Sequence, residues 1–375
     1  MLFYFWYIYK MNKLLIIIAA ILTFGCNNSA PKIEKLKSEV DAENVVFQNA
    51  DMKIIKLNSP TNESLRGISV VDDTIAWFSG ANGTILKTID GGKTINFLVP
   101  PYKGDTADFR DIYAFNTDSA VLINSGFPGV IYRTNNKGKK WTKAFNFPAD
   151  QIFYDAVEFA DERFGIVYSD PVNGKHFILV SSNFGINWMT PPYQNLIPSL
   201  EGEAAFAASG SSIAFTPDKR AFIGLGGPKG RILTSKLPYQ DWEVIETPIF
   251  QGAPTRGIYS MTFKSMQIGV AVGGDYTLPD TVMVENSVYT NDRGVTWHNP
   301  ETPLSGYRSC VTYCKPVDKF IAIGTNGMDY SKDNGVNWIR VPDFNIGLNA
   351  IQFVKGKNVG YMIGGKGQIY KITLY

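Results

Sequence analysis

Short segments in which apolar and polar residues alternate, separated by turns rich in Gly, Asn and Asp, fill the chain from about residue 50 to its end. Ile112-Tyr-Ala-Phe115 and Val130-Ile-Tyr-Arg133 are typical. This period of two predicts β-strands with one face buried, and no stretch in this region carries the 3.6-residue period of a long helix. The exception lies near the start, where Leu14–Leu22 is a continuous apolar run.

The strands repeat. Five copies of one short segment follow an apolar strand: Thr88-Ile-Asp90-Gly-Gly92-Lys-Thr-Ile95, Thr134-Asn-Asn136-Lys-Gly138-Lys-Lys-Trp141, Ser181-Ser-Asn183-Phe-Gly185-Ile-Asn-Trp188, Thr290-Asn-Asp292-Arg-Gly294-Val-Thr-Trp297 and Ser331-Lys-Asp333-Asn-Gly335-Val-Asn-Trp338. The side chains suit a tight turn. Asp or Asn bonds its own backbone two residues on, Gly supplies positive φ, and the aromatic packs inward. With one carboxylate per copy, and Asn in two copies, the segment does not read as a metal site. Aligning the strand before each turn gives Ile85, Ile131, Ile178, Ile232, Val288, Met328 and Ile369, spaced 40 to 56 residues apart. That is the length of a propeller blade. The expected fold is therefore all-β, a seven-bladed β-propeller of four-stranded antiparallel blades over residues 51–375. The fourth unit has Pro238 where the turn residues would stand, and the seventh stops at Tyr375 before a fourth strand. The strand-like Met52–Leu57 is expected to supply that strand and close the ring, removing an open sheet edge.

The N-terminus reads as an address. Met11-Asn-Lys13, the short apolar run and Gly25-Cys26 form a signal peptide over residues 1–26 rather than a spanning helix, with residues 1–10 read as an upstream extension from a misplaced start. Gly25-Cys26 resembles a bacterial lipobox, which implies lipidation of Cys26, export and anchoring to a bacterial envelope. Residues 27–50 read as a flexible tether.

Composition narrows the function. Lys+Arg number 36 and Asp+Glu 34, so the chain has no global basic field for nucleic acid. Two histidines and three cysteines leave little for metal or thiol chemistry. Cys310 and Cys314, roughly 13 Å apart in an extended strand, are too distant for a disulfide and read as core thiols. His176 and His298 read as surface or turn residues. No cofactor, metal or catalytic residue is expected, and the chain is expected to be a monomer.

The five turns look like the Asp-box (BNR) turn between the third and fourth strands of a blade. Together with Arg-Gly-Ile openings and Gly-x-x-Gly turns across residues 50–375, they resemble the photosystem II stability/assembly factor family (Ycf48/Hcf136-like), a seven-bladed propeller related to the sialidase superfamily. The resemblance implies a non-catalytic scaffold for a membrane-protein client.

Propeller geometry then selects a face. The innermost strands start opposite the repeat turns, and two residues before each aligned start stand Arg66, Arg110, Asp155, Glu203 (with Ala204 as the other choice), Arg256, Arg308 and Asn349. Four of the chain's ten arginines thus share one repeat position. Such a ring suits bidentate binding of an acidic peptide, glycan or envelope protein. Arg256 and Arg308, with no ring acid between them, are the expected anion clamp. The long loops Pro192–Gly202 and Asp275–Asn286 fall on the same face. A sialidase-like hydrolase is the competing reading, with Arg110 as carboxylate binder and Tyr154, Tyr259, Glu203 and Asp111 in the remaining roles. A nucleotide-dependent oxidoreductase would need Gly224-Leu-Gly226-Gly-Pro-Lys-Gly230, but a strand follows that run instead of a helix.

Overall fold

Short strands, those entering the repeat turns four to seven residues long, assemble into seven antiparallel sheets arranged as blades, with no α-helix among the described residues. The computed structural model describes residues 44–102, 107–126, 128–147 and 152–375. Cys26, the signal segment and most of the tether lie outside them.

The innermost strands are Leu65–Val70, Asp111–Ala114, Tyr154–Phe159, Ile213–Phe215, Ala253–Phe263, Cys310–Cys314 and Ala350–Phe353 in blades 1 to 7. Their side chains bond across neighbouring blades. Gln352 Oε1 accepts the Val70 N–H at 2.6 Å, and Ser69 Oγ accepts the Ala114 N–H at 2.8 Å. Asp111 Oδ2 takes the Val157 N–H and Ser260 Oγ the Val311 N–H, both at 2.8 Å. These bonds satisfy inner-strand donors that no second sheet reaches.

Ring closure is as the sequence predicts. Met52–Lys56 pairs antiparallel with Ile369–Leu374, from Met52 opposite Leu374 to Lys56 opposite Tyr370. The expected tether ends earlier than residue 50, because Val45–Gln48 adds a fifth strand to blade 7. Alternation explains it, for Phe47 turns inward onto Phe344, ring centroids 5.5 Å apart. Four strands per blade is an average. In blades 3 and 5 the outer strand shrinks to single bridges, Val180 to Met189 and Tyr289 to His298.

The repeat turns join third to fourth strands on one face. The hydroxyls of Thr88, Thr134, Ser181, Thr290 and Ser331 accept the N–H of Gly92, Gly138, Gly185, Gly294 and Gly335 at 2.9–3.2 Å. Each hydroxyl donates to the Asp or Asn two residues on. That oxygen accepts the N–H four residues further along, not two as expected. Asn136 and Asn183 do this as well as the aspartates, so the carbonyl oxygen matters and the charge does not. The glycines have φ between 69° and 88°. A Cβ would also strike the neighbouring blade, as at Gly294 against Phe222 and Gly335 against Val270. The terminal Trp141, Trp188, Trp297 and Trp338 and Ile95 are all buried.

Candidate functional site

On the face opposite the repeat turns, Arg66, Arg110, Asp155, Arg256, Arg308 and Asn349 each stand at or near the start of an innermost strand, and Glu203 does not. In blade 4 the innermost strand begins at Ile213, not near Phe206, so the equivalent position is Ser211. Segment 204–212 reads like a strand because it is apolar and small, but it folds across the axis instead. Ser209 Oγ donates to the Ser309 carbonyl at 2.8 Å, and Ser211 Oγ bonds Ser260 Oγ at 2.7 Å. Gly210, at φ 72°, rests on the Asp111 carboxylate, where a Cβ would collide. Phe206 stacks on Tyr259 with centroids 3.8 Å apart. The segment seals the channel mouth.

Glu203 therefore leaves the ring. It is buried beside Arg231 and His176, with Arg231 Nε 2.6 Å and His176 Nε2 3.2 Å from its carboxylate. Burial pushes that carboxyl up, but hydrogen bonds from His176 and Arg231 overcome it and hold it down at about 2. His176 is fully buried, not a surface residue, and its Nδ1 meets the Tyr168 hydroxyl at 2.7 Å. Glu203 is committed to Arg231 and His176, and the Tyr259 hydroxyl donates to the Thr255 carbonyl, so both groups that a glycosidase reading needs are already used inside the fold. His298 is exposed and the two cysteines are buried free thiols, as expected.

The arginines divide. Arg308 is 0% exposed, with its Nε 2.6 Å from Asp329 and further bonds to Asn326, Ser305 and the Tyr307 carbonyl. It is a strut inside blade 6. Arg256 pairs with Asp275 at 3.1 Å and lies over the Phe250 ring. The expected Arg256/Arg308 clamp is thus neutralised by acids of the second and third strands. Asn349 is a strap, donating Nδ2–H to the Leu65 carbonyl at 2.8 Å.

Arg66 and Arg110 remain. Arg110 pairs with Asp108 at 2.6 Å and reaches the Ala207 carbonyl of the plug. Arg66 sits on a β-bulge between Leu65 and Gly67, which aims its side chain off the ladder. Among the described residues its half-buried guanidinium has no hydrogen-bond or ion-pair partner. Burial and the neighbouring Arg110 both disfavour its charge.

Asp155, also on a bulge, is buried beside Asp170, and each has one carboxylate oxygen without a donor. Burial and Asp170 push the Asp155 carboxyl well up, while Arg110 opposes them. Burial raises Asp170 to about 6. Asp170 and Asp108 were missed because nothing in the repeat alignment marks the second strand or the residue two before Arg110. The loop after Asp275 rises beside this face, with Tyr276, Leu278 and Val282 about half exposed.

No protein-family pattern matches the chain. It is 23% identical over 321 residues to the chloroplastic photosystem II stability/assembly factor HCF136 of Arabidopsis thaliana, across 78% of this chain and 71% of the relative. A solved structure described as YCF48 bound to D1 peptide superposes with a TM-score of 0.61 at 16% identity, covering 87% of this chain and 98% of the other. YCF48 from Cyanidioschyzon merolae gives 0.60 at 18% identity, covering 85% and 98%. In sequence and in fold, the chain is a seven-bladed propeller similar to the Ycf48/HCF136 proteins.

Proposed function

We propose that the protein is a non-catalytic binding scaffold that grips a protein partner on the face opposite the repeat turns. The observation that carries this reading is Arg66, a half-buried guanidinium beside Arg110 whose one acidic neighbour, Asp108, is already paired with Arg110. A cation kept partly desolvated and facing a second cation is stabilised when an external carboxylate arrives, and the bidentate geometry of guanidinium fixes the orientation of that carboxylate. The peptide bound to YCF48 and the assembly role in the name of HCF136 favour a protein as the partner, with an acidic group as the feature it presents. Lipidation at Cys26 and residence on the exported side of a bacterial envelope complete the proposal, resting on the lipobox-like Gly25-Cys26.

Two experiments test it. Affinity capture from a detergent-solubilised envelope should recover a specific protein with the wild type, and Arg66→Ala should lower that recovery at least tenfold and remove its salt sensitivity. Equal recovery with the variant would refute the role of Arg66. Cys26→Ala should move the protein from the membrane fraction to the soluble one, and unchanged fractionation would refute the anchor.

A further inference from the structure

The plug that seals one mouth of the channel turns the rest of it into a blind well. The cavity measures about 580 Å3, within the range of about 300–1,000 Å3 that small-molecule pockets occupy. Its floor is Ser209–Ser211 with Asp111, and its rim, on the repeat-turn face, lies between the exposed Pro217 and Lys355. From the walls Tyr113, Glu158, Phe215, Thr262, Thr312 and Gln352 present one residue from each of six blades.

Two of the lining groups are carboxyls, and among the described residues neither meets a cation. Asp111 is 4% exposed and accepts only the backbone N–H groups of Ile112 and Val157. Glu158 accepts only the N–H of Phe159, leaving its second oxygen to the cavity. The buried Asp329 and Glu203, by contrast, each have a guanidinium neighbour, Arg308 and Arg231. A carboxylate held in a concave, poorly solvated site focuses negative potential along the well. Tyr113 and Phe215 add aromatic surface, which attracts organic cations.

We propose that this blind well binds a small organic ammonium ion, entering from the repeat-turn face, with Glu158 as its counter-ion and the aromatic rings of Tyr113 and Phe215 around its carbon chain. Hydroxyls of Thr262 and Thr312 and the Gln352 amide supply the remaining hydrogen-bonding surface. The site is separate from Arg66 and does not depend on the partner face.

Burial raises the Glu158 carboxyl to about 7, with Asp111 and Tyr113 of blade 2, Cys310 of blade 6 and Lys355 at the rim as the other titratable groups around the well. An ammonium ion favours the ionised form, so binding below pH 7 expels the Glu158 proton and affinity rises as pH climbs through that value.

Calorimetric titration of the full chain with n-pentylamine tests the proposal. Saturable binding is expected, at least tenfold tighter than for 1-pentanol, with a heat at pH 6 that varies with the buffer's ionisation enthalpy. Glu158→Gln, which keeps the acceptor for the Phe159 N–H, should lose at least tenfold in affinity and the buffer dependence while melting as the wild type does. Thr312→Phe, which fills the wall, should block binding by steric means and checks the location if the first variant misfolds. Equal affinity for 1-pentanol, unchanged affinity in Glu158→Gln, or displacement by an equal concentration of potassium chloride would overturn it.

Discussion

Arg66 and Arg308 stand at the same place in the repeat, two residues before the first channel-facing position of blades 1 and 6. Their surroundings set them apart. Arg308 meets Asp329 from the third strand of its own blade, is fully buried, and spends all its donors inside the fold. The corresponding position on the third strand of blade 1 holds Leu86, a fully buried apolar residue with no charge to offer. Arg66 is left facing Arg110. A repeat position thus fixes where a side chain emerges, and the neighbouring strands decide whether it serves as a strut or is left for a partner.

Substitutions around the ring should sharpen that contrast, beginning with the strut. Arg308→Ala leaves Asp329, 1% exposed, without its cation, and should cost about 3–5 kcal/mol of stability in denaturant unfolding. A loss under about 1 kcal/mol would place Arg308 with Arg66 instead.

The acid pair of blade 3 comes next. A carboxyl raised to about 6 in the folded state holds its proton more tightly there than in the unfolded chain. Its contribution therefore favours the folded state less and less as pH rises from near 4 through about 6. Asp170→Asn should match the wild type near pH 4 and gain up to about 2 kcal/mol on it by pH 7.5, allowing for screening of a partly exposed group. Parallel stability–pH curves would break the assignment.

Arg256→Ala removes a partly exposed pair from an acid that Thr277 also holds, so a loss of about 0.5–1 kcal/mol is expected from thermal melting. Arg66→Ala should move stability by less than about 0.5 kcal/mol in either direction, since no hydrogen bond or ion pair is broken and the repulsion from Arg110 opposes the attraction of Asp108. A loss of 2 kcal/mol there would make Arg66 structural.

Much of the fold was legible because the turn chemistry is local. Thr88, Asp90 and Gly92 bond one another within five residues, so their spacing in sequence is their geometry. Closure by Met52–Lys56 was legible for a different reason, as a blade one strand short needs that edge covered. The site was legible only in part. Arg308 and Asp329 lie 21 residues apart on strands that meet only once the blade folds, so the pairing that cancels the Arg256/Arg308 clamp leaves no trace in the repeat alignment. Segment 204–212 misled for a similar reason. Its run of small apolar residues around Phe206 suits a buried strand, but Phe206 stacks on Tyr259 and Gly210 fits against Asp111, which places the segment over the channel. Glu158 went unnoticed as a wall residue, because a lone acid in an inner strand reads as solvent-facing until the well around it is visible.

The central claim is that partners dock on the face bearing Arg66 and not on the repeat-turn face. Photo-crosslinking in the native envelope tests it most directly, with a photoreactive residue placed at Tyr276, 52% exposed beside the ring, or at Val295, 59% exposed in a repeat turn. Position 276 should yield a discrete protein adduct that disappears when Arg66→Ala is added, and position 295 should yield none. An adduct at position 295 alone, or one at position 276 that persists undiminished in Arg66→Ala, would contradict the account.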